Sequence, residues 1–317
     1  MKTKITIFLV LLLIFSNSAF AAGNELSGKV HPKLSASALV KKSLSLIGKN
    51  YPCVDNNMNA FYKEQIQKNN SCVTTNEAIL NIKKSSYLKS KTDLAFVEQV
   101  RGNCNPGEND QYVVKLQGGP ISALEMDVVK NPFLGTFNHN PEESYSFEYD
   151  NDVYQGGKEY YVVLFKQKPS EGRMLYRGKI FIDKESLAIG KIEYSRNVEN
   201  RFGSFDSFFA KKPKGRDIKM TGADYVVKYR EFDGKWYFDY STSNISFVLS
   251  NRQDHTYDTY SVKSQIVVTN LVAENFSVDK TNIIKSNDIL SDKIKEFNLS
   301  SQWDVCNLIL LLASSNL

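Results

Sequence analysis

Three histidines, four cysteines and scattered carboxylates are the reactive inventory of this 317-residue chain. His31 precedes the first predicted helix, His139 lies beside Pro141, and His255 sits between Asp254 and Asp258 in sequence. None belongs to an HExxH, HxH or CxxC pattern, so no metal site is predicted. Asp254-His255 has donors suited to a metal or a proton, but a polar turn in water accounts for the pair and is the favoured reading. No GxSxG elbow and no phosphate loop occurs. Gly118-Gly119 ahead of a helix offers N–H groups to an anion, although a tight turn explains the two glycines as well. With 35 Asp and Glu, chance pairs of carboxylates are inevitable, and none is identifiable as an acid–base dyad. No catalytic residue, cofactor or metal ligand is predicted, and a hydrolase working with carboxylates alone is the weakest reading kept.

One segment stands out for binding. Between two predicted hairpins, Asn197 to Gly222 is longer than a simple sheet connection needs. It holds Phe202, Phe205, Phe208 and Phe209, then the basic residues Lys211, Lys212, Lys214 and Arg216. The bland reading is a flap whose rings plug the core. The sharper one is a lid over an apolar pocket, with the basic patch facing anionic lipid or another envelope component.

Cys53, Cys72, Cys104 and Cys306 allow three full disulfide pairings in an exported chain. Cys53–Cys72 is the first candidate by sequence proximity, and buried free thiols are the alternative.

The elements that must position these residues begin after an export signal. Lys2 and Lys4, an apolar run from Ile5 to Phe15 and the exit Ser18-Ala19-Phe20-Ala21 predict a signal peptide over 1–21. The run is about half of what a membrane-spanning helix needs, and no cysteine follows the cleavage point to carry lipid. Residues 22–32 are a flexible leader and 33–317 a single domain. Without Lys2 and Lys4 the formal charge of +5 becomes +3, too mild for a nucleic-acid partner. Hydrophobic residues at 42% supply a core, and 17 Tyr with 19 Phe favour sheet.

A helix is predicted over Leu34–Ile47, with Ser35 or Ser37 as cap and Gly48 and Pro52 as the stop. Asn59–Lys68 and Cys72–Ile82 form a hairpin around Asn69-Asn70-Ser71. A second helix covers Ile121–Lys130, with Pro120 at its first position and Asn131-Pro132 as its end. Strands follow over Ser144–Tyr149, Glu159–Lys166, Leu175–Asp183, Leu187–Tyr194, Tyr225–Phe232, Lys235–Leu249 and Tyr257–Val272. Asp233-Gly234 is a strong hairpin signal. The centre of Glu159–Lys166 is apolar on both faces, which implies packing on each side. On the last strand Tyr260, Val262, Ile266 and Val268 form the predicted inner face. The expected fold class is therefore α+β, a curved, half-barrel-like antiparallel sheet with the N-terminal helices packed across it.

Several segments also resemble a family. They are Lys49-Asn50-Tyr51-Pro52, Ala60-Phe61-Tyr62-Lys63-Glu64, Leu116-Gln117-Gly118-Gly119-Pro120 with Asp127-Val128-Val129-Lys130-Asn131, Tyr176-Arg177-Gly178-Lys179-Ile180 with Ile182-Asp183-Lys184-Glu185-Ser186-Leu187-Ala188-Ile189, and Tyr229-Arg230 with Asp233-Gly234-Lys235-Trp236-Tyr237. Together they resemble exported Bacteroidetes proteins termed carboxypeptidase-like regulatory domain-containing proteins, over about Lys33 to Lys295. The regulatory β-sandwich that gives the family its name is missing between signal and first helix, so the resemblance implies no peptidase and carries over no catalytic residue. Lys179 to Tyr194 is more loosely similar to the periplasmic lipoprotein-carrier fold.

The expected function is that of a non-enzymatic, exported envelope protein, periplasmic, outer-membrane-associated or secreted. It would bind an apolar or amphipathic ligand, lipid or lipidated protein, in the hollow of the sheet. The alternative is an accessory module for outer-membrane transport or surface assembly, in which the hollow is packed solid.

Overall fold

A computed structural model describes residues 34–104, 117–131, 141–170, 175–198, 216–251, 255–272 and 279–294. Helix α1 (Ala36–Ser45) starts at Ser35, whose hydroxyl accepts from the Ala38 N–H at 3.2 Å. A break at Leu46 separates it from α2 (Ile47–Asn50), so Gly48 lies inside a last helical turn rather than ending the helix.

Strands β1 (Asn56–Lys68) and β2 (Ser71–Lys84) form the expected hairpin. Asn69 and Asn70 both take positive φ, 49° and 67°, which two-residue hairpin turns demand and asparagine tolerates. Strand β3 (Leu94–Cys104) follows, then helix α3 (Gly119–Glu125). This helix is shorter than its pattern suggests. The Asp127 carboxylate accepts from the backbone N–H groups of Val129 and Lys130 at 3.2 and 3.3 Å, folding 127–131 into turns.

The rest is strand: β4 (Tyr145–Tyr149), β5 (Val153–Gln155), β6 (Lys158–Gln167), β7 (Tyr176–Asp183), β8 (Ile189–Arg196), β9 (Arg216–Phe232), β10 (Lys235–Asn251), β11 (Tyr257–Val272) and β12 (Ile283–Ile284), followed by a single turn, α4 (Leu290–Lys293). The twelve described strands make one antiparallel sheet in the order β12-β3-β2-β1-β11-β10-β9-β8-β7-β6-β4, with β5 paired to β6. The curved antiparallel sheet is as expected, but the class is mostly β rather than α+β, because α1 at ten residues is the longest described helix. The half of β9 before Asp224 and the short β5 and β12 were not predicted.

Alternation along the strands puts one side chain in two on each face. The helix-bearing face carries Met58, Ala60 and Tyr62 of β1, Leu80 and Ile82 of β2, Phe238 of β10 and Ile266 and Val268 of β11, all buried. Leu39 and Val40 of α1 and Ile121 and Leu124 of α3 close over them in one cluster. Tyr260 and Val262, on the same face of β11, join a separate cluster with Ile66, Phe247 and Leu249. On the opposite face Val162, Phe181, Lys191, Lys228 and Tyr240 form a row across β6 to β10. Val162 and Phe181 are buried there, so β6 does pack on both sides.

Candidate functional site

The expected hollow under the helices is occupied by core, and at its centre lies a charge network. Lys84 on β2 is fully buried and pairs with Asp93 at 2.9 Å and Asp127 at 2.7 Å. Asp127 also accepts from the hydroxyls of Tyr229 at 2.7 Å and Tyr87 at 2.9 Å. Lys130 completes the group on Asp93 and Ser85. Burial works against the Lys84 charge, yet Asp127 and Asp93 outweigh it and raise the pKa above the ordinary lysine value. Burial likewise pushes Asp93 up, but Lys84 and Lys130 overcome it and hold the carboxyl below its usual range. Burial, with Asp127 adding to it, drives the Tyr87 and Tyr229 phenols far up, so both remain donors.

This network meets a small cleft at Asp93, Glu125 and Lys130. Burial and then Asp93 raise the Glu125 pKa. Two carboxyls displaced in opposite directions are what acid–base chemistry needs. Here, however, Asp93 is engaged by two lysines and the cleft holds about 130 Å³, room for roughly four waters. The arrangement pins the turns 85–93 and 127–131 to the sheet; it does not accommodate a substrate.

The larger open spaces lie elsewhere. A groove of about 520 Å³ is lined by Leu164, Val226 and the charged side chains of Glu148, Lys166, Lys179 and Glu193. It lies on the face away from the helices, and Arg177 and Asp224 line it as well. The second, of about 490 Å³, is lined by both the β5–β6 turn and the β9–β10 turn. Its aromatic residues are Tyr160, Phe181, Tyr229 and Trp236. Gly190 makes their approach possible: it is the extra residue where the β7–β8 register shifts, and a side chain there would strike the rings of Tyr160 and Trp236.

Cations rim this second cleft, and most are neutralised. Lys158 pairs with Glu231 at 2.6 Å, Lys191 with Glu193 at 2.5 Å and Arg230 with Asp239 at 3.4 Å. Lys228 differs. Its ammonium lies 5.3 Å from the centre of the Tyr240 ring and makes no ion pair among the described residues. Burial, and then the like charge of Lys191 beside it, lower its pKa, against the weaker opposing pull of Asp239 and Glu193. The Trp236 indole N–H is buried without a hydrogen-bond partner. The cleft thus combines aromatic surface with a cation that Asp239 and Glu193 offset only in part and a buried donor without a partner, a composition that suits an anionic, partly apolar molecule.

The residues singled out from sequence fall elsewhere. Phe202, Phe205, Phe208, Phe209, Lys211, Lys212 and Lys214 lie outside the described residues, as do His31, His139, Asp254 and Cys306. Arg216 opens β9, and its side chain is not described. His255 is exposed in the β10–β11 turn at φ 56°, and among the described residues no cluster of three His, Cys, Asp or Glu could hold a metal. Gly118 and Gly119 take positive φ at the start of a seven-residue helix, a turn as expected. The Cys53–Cys72 bridge is overturned. Both thiols are free, and the length of β1 separates them by more than about 30 Å.

Lys84, Asp93, Phe181 and Lys228 were not marked by sequence, and Asp127, Lys130 and Trp236 were marked only as parts of segments that carry a family resemblance, with no role assigned. The one signal near them is Asp233-Gly234, which fixes the hairpin carrying Trp236 two residues on.

No protein-family model matches the sequence and no curated protein does, so the likeness to carboxypeptidase-like regulatory domain-containing proteins is not supported. Among solved structures, a LolA superfamily protein from Nitrosomonas europaea is similar at 8% identity and TM-score 0.28, over 77% of this chain and 96% of that one. The MucA/MucB complex of Pseudomonas aeruginosa is matched at 11% identity and TM-score 0.23, over 72% and 93%. A DUF1329 family protein from Desulfovibrio piger is matched at 8% and 0.26, over 76% and 93%. TM-scores this low assign no function to the chain. No described helix is long and apolar enough to cross a membrane.

Proposed function

We propose that this is an exported, non-enzymatic envelope protein that binds an anionic amphipathic molecule, such as a fatty-acyl lipid, in the cleft between the β5–β6 and β9–β10 turns. The observation that carries the reading is Lys228: a part-buried ammonium without an ion-pair partner among the described residues, in a cleft it shares with Phe181 and Trp236. A ligand carboxylate or phosphate beside Lys228 would restore the charge balance that Lys191 disturbs, and its chain would cover the rings. The binding place differs from the hollow first expected, because the helices and core fill that space. Native mass spectrometry of the purified protein and titration with a fluorescent fatty acid test it. A bound lipid-like mass and a saturable response, weakened about tenfold in Lys228→Ala, are expected. Bare protein with no response to the fatty acid would sink the proposal.

A further inference from the structure

Seven large apolar side chains are exposed among the described residues, and they are not spread evenly. Leu34 and Tyr257 stand apart. The other five, Val54, Leu88, Val153, Tyr154 and Phe232, belong to one end of the sheet, where β1, β6, β8 and β10 begin and β2, β7, β9 and β11 finish. Four of them are far out in solvent: Tyr154 at 72%, Val54 at 71%, Phe232 at 60% and Leu88 at 59%.

Contacts join these tips into one continuous end. Leu88 lies against Gly48 of α2. The next residue, Lys49, accepts through its carbonyl from the Lys235 ammonium at 2.5 Å, and Lys235 is the cross-strand partner of Phe232. Asn50 donates to the Ser186 carbonyl in the β7–β8 turn at 2.9 Å. The Lys158–Glu231 pair ties the β5–β6 hairpin, which carries Tyr154, to the strand that ends in Phe232.

We infer that this end of the molecule docks onto a phospholipid bilayer, inserting Tyr154, Phe232, Leu88 and Val54 at the level of the headgroups. Three features favour a bilayer over a folded protein. The apolar side chains stand on separate turns and not on one flat face, which suits a soft interface that closes round each of them. Lysines accompany them, and many are already paired: Lys89 and Lys91 with Asp55, Lys158 with Glu231, and Lys184 with Asp152 and Glu159. The end therefore carries little net charge to be desolvated or screened, and aromatic rings beside lysine stems are the composition of an interfacial belt. Finally, the turns that bear Tyr154 and Phe232 flank the candidate cleft, so docking would set its mouth against the membrane. That last consequence rests on the proposed ligand; the docking does not.

Co-sedimentation with vesicles tests it, using the chain from Ala22 onward so that the predicted signal peptide cannot insert. Two vesicle types separate the sources of attraction: phosphatidylcholine alone, and phosphatidylethanolamine with phosphatidylglycerol. Both are expected to carry the protein down and to do so in high salt. The double variant Tyr154→Ser/Phe232→Ser should lose about tenfold in apparent affinity, whereas Tyr257→Ser, at the opposite end of the sheet, should bind as the parent does. Parent protein left in the supernatant with both vesicles overturns the inference. So does retention only by the anionic vesicles that salt abolishes, or equal losses in the double variant and Tyr257→Ser. Circular dichroism establishes that the variants are folded, and fatty-acid titration in the absence of vesicles tells failure of docking from failure of the ligand site.

Discussion

Lys84 and Lys228 both place an ammonium close to an aromatic ring on the same sheet, and they end in opposite states. Lys84 lies 5.0 Å from the centre of Phe238 and is met by Asp93 and Asp127; its pKa is raised. Lys228 lies 5.3 Å from the centre of Tyr240, beside Lys191, with no carboxylate in ion-pairing reach among the described residues; its pKa is lowered. The first charge is spent inside the fold on holding three chain segments together. The second is held at a half-buried position where Asp239 and Glu193 offset its cost only in part. A charge becomes evidence of binding when the protein has made it costly and has not fully compensated it.

The largest effect should come from Lys84→Met. Removing the ammonium leaves Asp93 and Asp127 facing each other in the core with only Lys130 and the tyrosine hydroxyls to offset them. Breaking a buried pair in this way costs about 3–5 kcal/mol, to be read as a fall in the urea midpoint. The carboxyl of Asp93 adds a pH signature. Its folded pKa lies below the unfolded value, so its contribution is in place above about pH 4 and drains away as pH falls through the folded value. The parent protein should therefore lose stability on acidification, and the Asp93→Asn variant should lose less over the same range. A flat profile in the parent would show that the network does not hold the fold.

Glu64 sharpens the contrast with a third arrangement. It is buried on β1 and accepts from Tyr62 and Asn76, each at 2.7 Å, with no ion-pair partner among the described residues. Burial raises its pKa despite both hydrogen bonds. The sign is thus opposite to that of Asp93: its contribution is full below the unfolded value and is lost as pH rises through the folded one. Glu64→Gln should stabilise the protein at pH 7 and do so progressively less as pH approaches 4, a smaller change than that at Lys84. Denaturant midpoints at the two pH values decide it, and a variant less stable than the parent at pH 7 would mean that the carboxylate charge is needed.

Local signals carried most of the fold. Ser35 capped its helix, Asn69-Asn70 and Asp233-Gly234 made their turns, and alternation on β11 picked out Tyr260, Val262, Ile266 and Val268, because each depends on neighbours a few residues away. The first half of β9 escaped notice because Ile218 and Met220 continue a stretch dominated by Phe and Lys. Helix α3 was overextended because Asp127, which reads as one more helical residue, turns its carboxylate onto the Val129 and Lys130 N–H groups, and the tyrosines that hold that carboxylate in place, Tyr87 and Tyr229, are 40 and 102 residues distant. The same distance hid the charge network and the cleft. In sequence Lys84 and Lys228 are two lysines on strands, and only the register decides which of them finds aspartates. The register shift that removes the side chain between Tyr160 and Trp236 leaves a mark at Gly190, but a lone glycine in a strand does not say which rings will meet over it.

Lys228→Met is the matched experiment to Lys84→Met and should have the smallest effect on stability. The substitution keeps an unbranched apolar stem over Tyr240, relieves the repulsion from Lys191 and removes a desolvated charge that breaks no ion pair among the described residues when it goes. The urea midpoint should stay within about 0.5 kcal/mol of the parent or rise slightly. A stabilised or neutral variant with weakened fatty-acid response places Lys228 among residues that the fold tolerates for the sake of a ligand. A loss as large as that of Lys84→Met would make it a structural lysine whose partner lies in the chain itself, and the distinction between the two lysines would collapse.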